Sequence, residues 1–211
     1  MNQRCIFEPM TSYLSHTNRQ GDTAYIRAVA TAKGGTRYYV TKDLKTPDLL
    51  EEMPNGFEFY EYPSDARIVF RKRVPCKITT SERQVVEDAM HNLSDVKDFI
   101  VAAEGNMITI YISQFSAISG EHENPTAEET RLDWGGEHVD RFKKYDEYVR
   151  FILINEAKRT FRLERIVFLG FFSHDYAELE TSDDLESLAE MVCQHIGYPT
   201  YFDLAPKGWE D

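Results

Sequence analysis

The chain has 211 residues, 42% hydrophobic and 28% charged, which is enough to bury a full core and ordinary for a globular protein. Its formal net charge of −12 argues against a general nucleic-acid binder, which needs clustered Lys and Arg to neutralise phosphates. No apolar run approaches the roughly 20 residues of a membrane span, and Met1–Phe7 lacks the apolar region of a signal peptide, so the cytoplasm is the expected compartment.

Residues 1–22 are polar and irregular and read as a flexible arm. The first hairpin follows, Tyr25–Thr31 against Arg37–Thr41, turned by Lys33-Gly34-Gly35-Thr36, where adjacent glycines supply positive φ. Asp43–Pro54 is a connector with one helical turn expected at Pro47–Glu52. A second strand pair, Phe57–Tyr62 and Ala66–Arg71, turns at Pro63-Ser64-Asp65. The aromatics of this pair alternate, so about half of them should face a core.

Thr79-Thr80-Ser81-Glu82 is a capping box. It opens a helix over about 80–93, with Val85, Val86, Ala89, Met90 and Leu93 on one stripe. Phe99–Ala103 and Met107–Ile112 form a third hairpin, with Gly105-Asn106 suited to a type II′ turn. Residues 114–144 lack a clear period and read as a long irregular insertion, with a short helix after Asn124-Pro125. Strands resume at Tyr148–Ile154 and Phe161–Leu169. The last helix spans 182–196, with Leu185, Leu188, Ala189, Val192 and Ile196 on one stripe, Ser182 or Thr181 as cap, and Gly197 and Pro199 as the stop. The expected fold is therefore α+β: a mainly antiparallel sheet built from β-hairpins, two principal helices packed on one face, and a single domain over 1–211.

Charge is segregated along the chain. Residues 66–77 hold Arg67, Arg71, Lys72, Arg73 and Lys77 with no acid, whereas 175–190 hold seven acids and no base. Two solvated faces explain this most simply, although such polarity also orients partners. The basic strip lies beside Phe57, Phe59, Tyr60 and Tyr62, and cations next to stacking rings hold phosphate or single-stranded nucleic acid. That reading assigns Arg67, Arg71 and Arg73 as ligand-binding residues.

The long insertion carries Glu121-His122-Glu123 and Glu137-His138-Val139-Asp140. His122, Glu123, His138 and Asp140 are a plausible ligand set for a divalent metal, which would activate water for hydrolysis. The spacing matches no closed metal motif, and loop histidines surrounded by acids are usually just solvated.

Two further groupings are weaker. In Cys193-Gln194-His195 the two reactive side chains project about 200° apart round a helix, so Cys193 reads as a small core hydrophobe. Ser173-His174-Asp175 cannot form a relay from consecutive positions, and Asp175 reads as a turn cap. The three cysteines, Cys5, Cys76 and Cys193, are far apart and odd in number, so reduced thiols are expected.

The leading functional expectation is a non-catalytic protein-interaction module, acting through a protein partner or as a homo-oligomer, with abundant aromatics suited to interfaces. The alternatives are a metal-dependent hydrolase using the 121–140 loop and a phosphate or nucleic-acid binder using the Arg67–Lys77 strip. No cofactor is expected outside the metal reading.

Overall fold

The computed structural model describes residues 12–114, 143–168 and 174–208. Its strands are antiparallel and mostly joined as hairpins, and together with two helices they make the α+β fold. The chain divides into two compact units. Unit 1 runs to Tyr62 and includes Ala66–Arg73; unit 2 takes Pro63–Asp65 and everything from Val74. Among the described residues no helix is long and apolar enough to cross a membrane.

Unit 1 contains a three-stranded sheet of β1 (Ser15–Thr17), β2 (Thr23–Ala30) and β3 (Thr36–Thr41), in that order, and a two-stranded sheet of β4 (Phe57–Glu61) and β5 (Ile68–Lys72). The expected polar arm is partly structured, since Ser15–Thr17 pair with Tyr25–Thr23. Asn18 fixes this turn. Its Oδ1 accepts from the Gln20 and Asp22 amides at 3.1 and 2.8 Å, and its Nδ2 donates to the Ala66 carbonyl at 2.8 Å. The β2–β3 turn needs one glycine in the left-handed region, Gly34 at φ +79°. The helical turn expected at Pro47–Glu52 does not form. Asp48 takes φ +63°, and its neighbour Leu49 bridges Arg27 of β2, so the connector runs alongside β2.

Unit 2 begins with α1 (Thr80–Leu93), capped as the sequence implies: Thr79 Oγ1 accepts from the Glu82 amide at 3.2 Å and Glu82 Oε2 from the Thr79 amide at 2.8 Å. Arg159, in the turn 156–159, forks onto the same carboxylate at 2.8 and 2.5 Å. Five strands then follow as a meander, β6 (Phe99–Glu104), β7 (Met107–Ser113), β8 (Tyr145–Asn155), β9 (Thr160–Phe168) and β10 (His174–Ser182), in spatial order β10-β9-β8-β7-β6. The β6–β7 turn has Gly105 at φ +58° and no positive φ at Asn106, as a type II′ turn requires.

Strand β10 has no counterpart in the sequence reading, which makes Asp175 a turn cap and 175–190 an acidic stretch. Helix α2 (Leu185–Cys193) is capped by Asp184, whose side chain accepts from the Ser187 amide at 3.0 Å, rather than by Ser182 or Thr181. It continues as turns to Gly197, at φ +95°.

Alternation along the strands aims one face of this sheet inward. Ile108 and Ile110 of β7 pair with Phe151 and Val149 of β8, and Phe151 and Leu153 pair with Leu163 and Phe161 of β9. All are buried, in one cluster with Val86, Ala89 and Met90 of α1 and Leu188, Ala189, Val192 and Cys193 of α2. The far ends of the two helices are tied together. Ser94 Oγ donates to the Ile196 carbonyl at 3.0 Å and accepts from the Val96 amide at 3.0 Å. A Cβ on Gly197 would come within 3.2 Å of Asp95 Cβ, so this approach admits only glycine.

One cation sits on the inward side, Arg165 of β9, paired with Val149 and 8% exposed. It donates to three carbonyls: Leu204 at 3.0 Å, Ile166 at 3.3 Å and Phe202 at 3.3 Å. Tyr201, 2% exposed in the 3-10 turn Pro199–Tyr201, adds a hydrogen bond to the Tyr148 carbonyl at 2.9 Å. The C-terminal segment is thus held by a buried guanidinium. Arg165→Leu strips the donors from one buried and two part-buried carbonyls and is expected to cost about 2–4 kcal/mol. Chemical denaturation measures the loss, and limited proteolysis should show faster cleavage within 199–208.

Candidate functional site

The residues singled out from the sequence do not meet in one place. Those proposed for a metal, His122, Glu123, His138 and Asp140, lie outside the described residues, as do Cys5 and Ser173. Among the described residues no group of three or more His, Cys, Asp or Glu side chains is arranged to hold a metal ion. Cys193 is fully buried and its thiol is pushed up to about 12 by that burial. His195 instead faces Thr200, with Nδ1 2.9 Å from its hydroxyl, so the two do not form a thiolate–imidazole pair. Asp175 Oδ1 accepts from the Tyr176 amide.

Arg67, Arg71 and Arg73 share one face of the β4–β5 hairpin, because positions two apart on a strand point the same way. Arg71 Nε is 3.1 Å from Glu58 Oε1, and its guanidinium carbon lies 3.4 Å from the Tyr60 ring centre. Arg73 approaches the same carboxylate at 3.9 Å, and Arg67 lies 4.5 Å over Tyr62. Glu58 and two tyrosine faces therefore engage these cations locally, which the sequence concealed because the pairing depends on hairpin register.

The opposite face of that hairpin carries rings. Phe70 contacts Phe57, Phe59 and Tyr38 of β3, and Phe57 also contacts Tyr38, with centroids 4.8 to 5.5 Å apart, and His16 stacks on Phe59 at 5.5 Å. Yet none of these rings is fully buried, and among the described residues the buried apolar ones of unit 1 are Ala24, Ile26 and Ala66. Tyr39, Val40, Leu44 and Met53 are each at least 40% exposed. Strand β3 forms one edge of its sheet. Among the described residues the unit thus presents apolar and aromatic surface beside a strand paired on one side only.

Charge distinguishes the units further. Unit 1 holds 11 of the 24 basic residues but 8 of the 36 acidic ones, a net +3, which leaves unit 2 at −15. The acidic stretch 175–190 lies on β10 and α2, where Lys207 meets it, 3.2 Å from Glu180 and 3.7 Å from Glu178.

A polar cluster that the sequence did not reveal lies in unit 2. Glu147 of β8 accepts from Tyr111 at 3.1 Å, from Tyr176 at 2.5 Å and from Arg150 Nε at 3.1 Å, with a second Arg150 bond. Arg150 also lies 3.5 Å over the Tyr176 ring. Three strands contribute, and a register shift between Ile110 and Tyr111 brings Tyr111 opposite Glu147. Burial alone would raise the Glu147 carboxyl, but the bonds from Tyr176 and Arg150, the Arg150 charge and the Tyr111 bond outweigh it and hold the group below its ordinary range. Tyr176 is pushed well up, by burial first and then by Glu147. Four donors against about four lone-pair positions leave this carboxylate no capacity to act as a base, so the cluster braces the sheet.

No family model, curated protein or solved structure matches the chain.

Because the folded Glu147 carboxyl lies below its unfolded value, its stabilisation is present in full above about pH 4.3 and is lost as pH falls through the lower folded value. Glu147→Gln should therefore melt below the wild type at pH 7, and the gap should close on acidification. Thermal melts from pH 7 to pH 2 follow it.

Proposed function

We propose that the chain is a cytoplasmic, non-catalytic protein-interaction module that binds its partner through unit 1. The observation that carries this reading is the contrast in burial. Among the described residues, unit 2 closes its sheet with two helices, whereas unit 1 buries three small or medium apolar residues and leaves Tyr38, Phe57, Phe59 and Phe70 part-covered. Fully burying a side chain of that size stabilises by about 1.5–3 kcal/mol, a gain that unit 1 alone does not collect and a partner would. Aromatic residues and arginine are also the types enriched at interface cores. The opposite signs of the two units supply steering, both for a foreign protein and for a second copy of the chain.

The test joins light scattering with affinity capture on the full chain and on a Tyr39→Ser, Leu44→Ser, Met53→Ser triple variant. The wild type should self-associate or retain a defined partner. The variant, with melting unchanged, should lose at least about tenfold in that association, and rising salt should slow its formation. A monomeric wild type that retains nothing, or a variant that retains as much, would sink the reading.

A further inference from the structure

We propose that the outer edge of β3 is a docking site for an extended partner segment in which acidic and apolar residues alternate, added to the sheet as a fourth strand. This rests on the interaction-module reading and names where and how the partner is held.

The backbone groups that would bind it are identified by the far side of β2. The Leu50 amide donates to the Ile26 carbonyl at 2.8 Å, and the Ala28 amide donates to the Asp48 carbonyl at 3.0 Å. Ile26 and Ala28 therefore turn their polar groups away from β3. Their cross-strand partners Val40 and Tyr38 stand in non-hydrogen-bonded pairs and aim their own N–H and C=O outward. Among the described residues β3 pairs with β2 alone. The edge carries no proline and no register shift, the devices that usually blunt a strand edge.

Chemistry of the occupant follows from the two faces. Tyr38 and Val40 share the apolar side with Ile26, and Val40 is 40% exposed. Arg37 and Tyr39 share the other side with Arg27, whose Nε is buried without a hydrogen-bond partner. Lys33 stands in the turn at one end of the strand, and Lys42 and Lys45 follow the other. A docked strand would therefore set apolar side chains beside Val40 and carboxylates beside Arg37, as strand addition normally divides affinity from specificity.

A capped synthetic peptide of alternating glutamate and valine is the probe, titrated into the full chain and followed by amide NMR shifts. Shifts should centre on Thr36–Thr41, and a lysine–valine peptide should not compete. Val40→Pro removes one outward N–H while sparing the bonds to β2, and should weaken binding about tenfold or more; Arg37→Glu, which leaves the ladder intact, should do likewise.

N-methylation of the peptide reads the geometry. In antiparallel docking the residue opposite Val40 turns its N–H toward the edge, so methylation at the valines abolishes binding and at the glutamates does not; parallel docking reverses this. Either single-phase result supports the proposal. No binding, binding that survives methylation in both phases, or binding indifferent to both protein variants overturns it. Partner retention lost in the Tyr39/Leu44/Met53 variant but intact in Val40→Pro would overturn the edge site alone and leave the module reading standing.

Discussion

The inward stripe of the five-stranded sheet governs where everything else in unit 2 can go. Ile108, Ile110, Val149, Phe151, Leu153, Phe161 and Leu163 come from three consecutive strands whose registers place them side by side. A face of this size left wet would not persist, because the stabilisation of each strand comes from the area it removes from water. Both helices answer that requirement. Each lends one stripe, and their polar residues are left to solvent, which is why Glu186 and Glu190 sit outward on α2 while Leu188 and Val192 are sealed. Arg165 is the exception on the inner side. It is tolerated because backbone carbonyls, in place of a carboxylate, satisfy its donors.

Unit 1 is constructed on a different balance. Its two small sheets meet through rings, and the geometry of Tyr38 against Phe57 and Phe70 is the edge-on arrangement that aromatic quadrupoles favour. Rings cover more area per residue than aliphatic chains, so a few of them can join two short sheets. What they do not supply is depth: with strands of three to eight residues there is little interior to fill. Polar anchors such as Asn18, and ion pairs such as Arg19 with Glu61 at 2.9 Å, do part of the positioning.

Features set by neighbouring residues were legible in the sequence, and features set by distant ones were not. The Gly105-Asn106 turn, the Thr79–Glu82 box and the α2 stripe are decided within one turn or one hairpin, so their residue types suffice. Strand β10 escapes because its register slips between Glu178 and Glu180, which breaks the two-residue period. It exists through pairing with β9 more than through its own pattern. Pro47 suggested a helical start, yet Asp48 takes a left-handed φ and the segment follows β2. The Arg67, Arg71 and Arg73 strip was visible, while its compensation by Glu58 and Tyr60 was not, since that depends on which residue faces which across the hairpin. The Glu147 cluster depends on three strands and a register shift and leaves no linear trace. The edge position of β3 was equally hidden: a sequence shows that a strand exists, not which of the described strands lies beside it.

The bond from Ser94 to the Ile196 carbonyl spans 102 positions and has a bearing on how the molecule is made. The meander between them pairs strands that follow one another in the chain, so during synthesis the sheet can assemble strand by strand as it emerges. Its greasy side then waits, half roofed by α1, until the ribosome delivers the second helix. The interval between those events is when a nascent chain is most vulnerable to clumping, and translation speed between the fifth strand and the second helix becomes a determinant of yield.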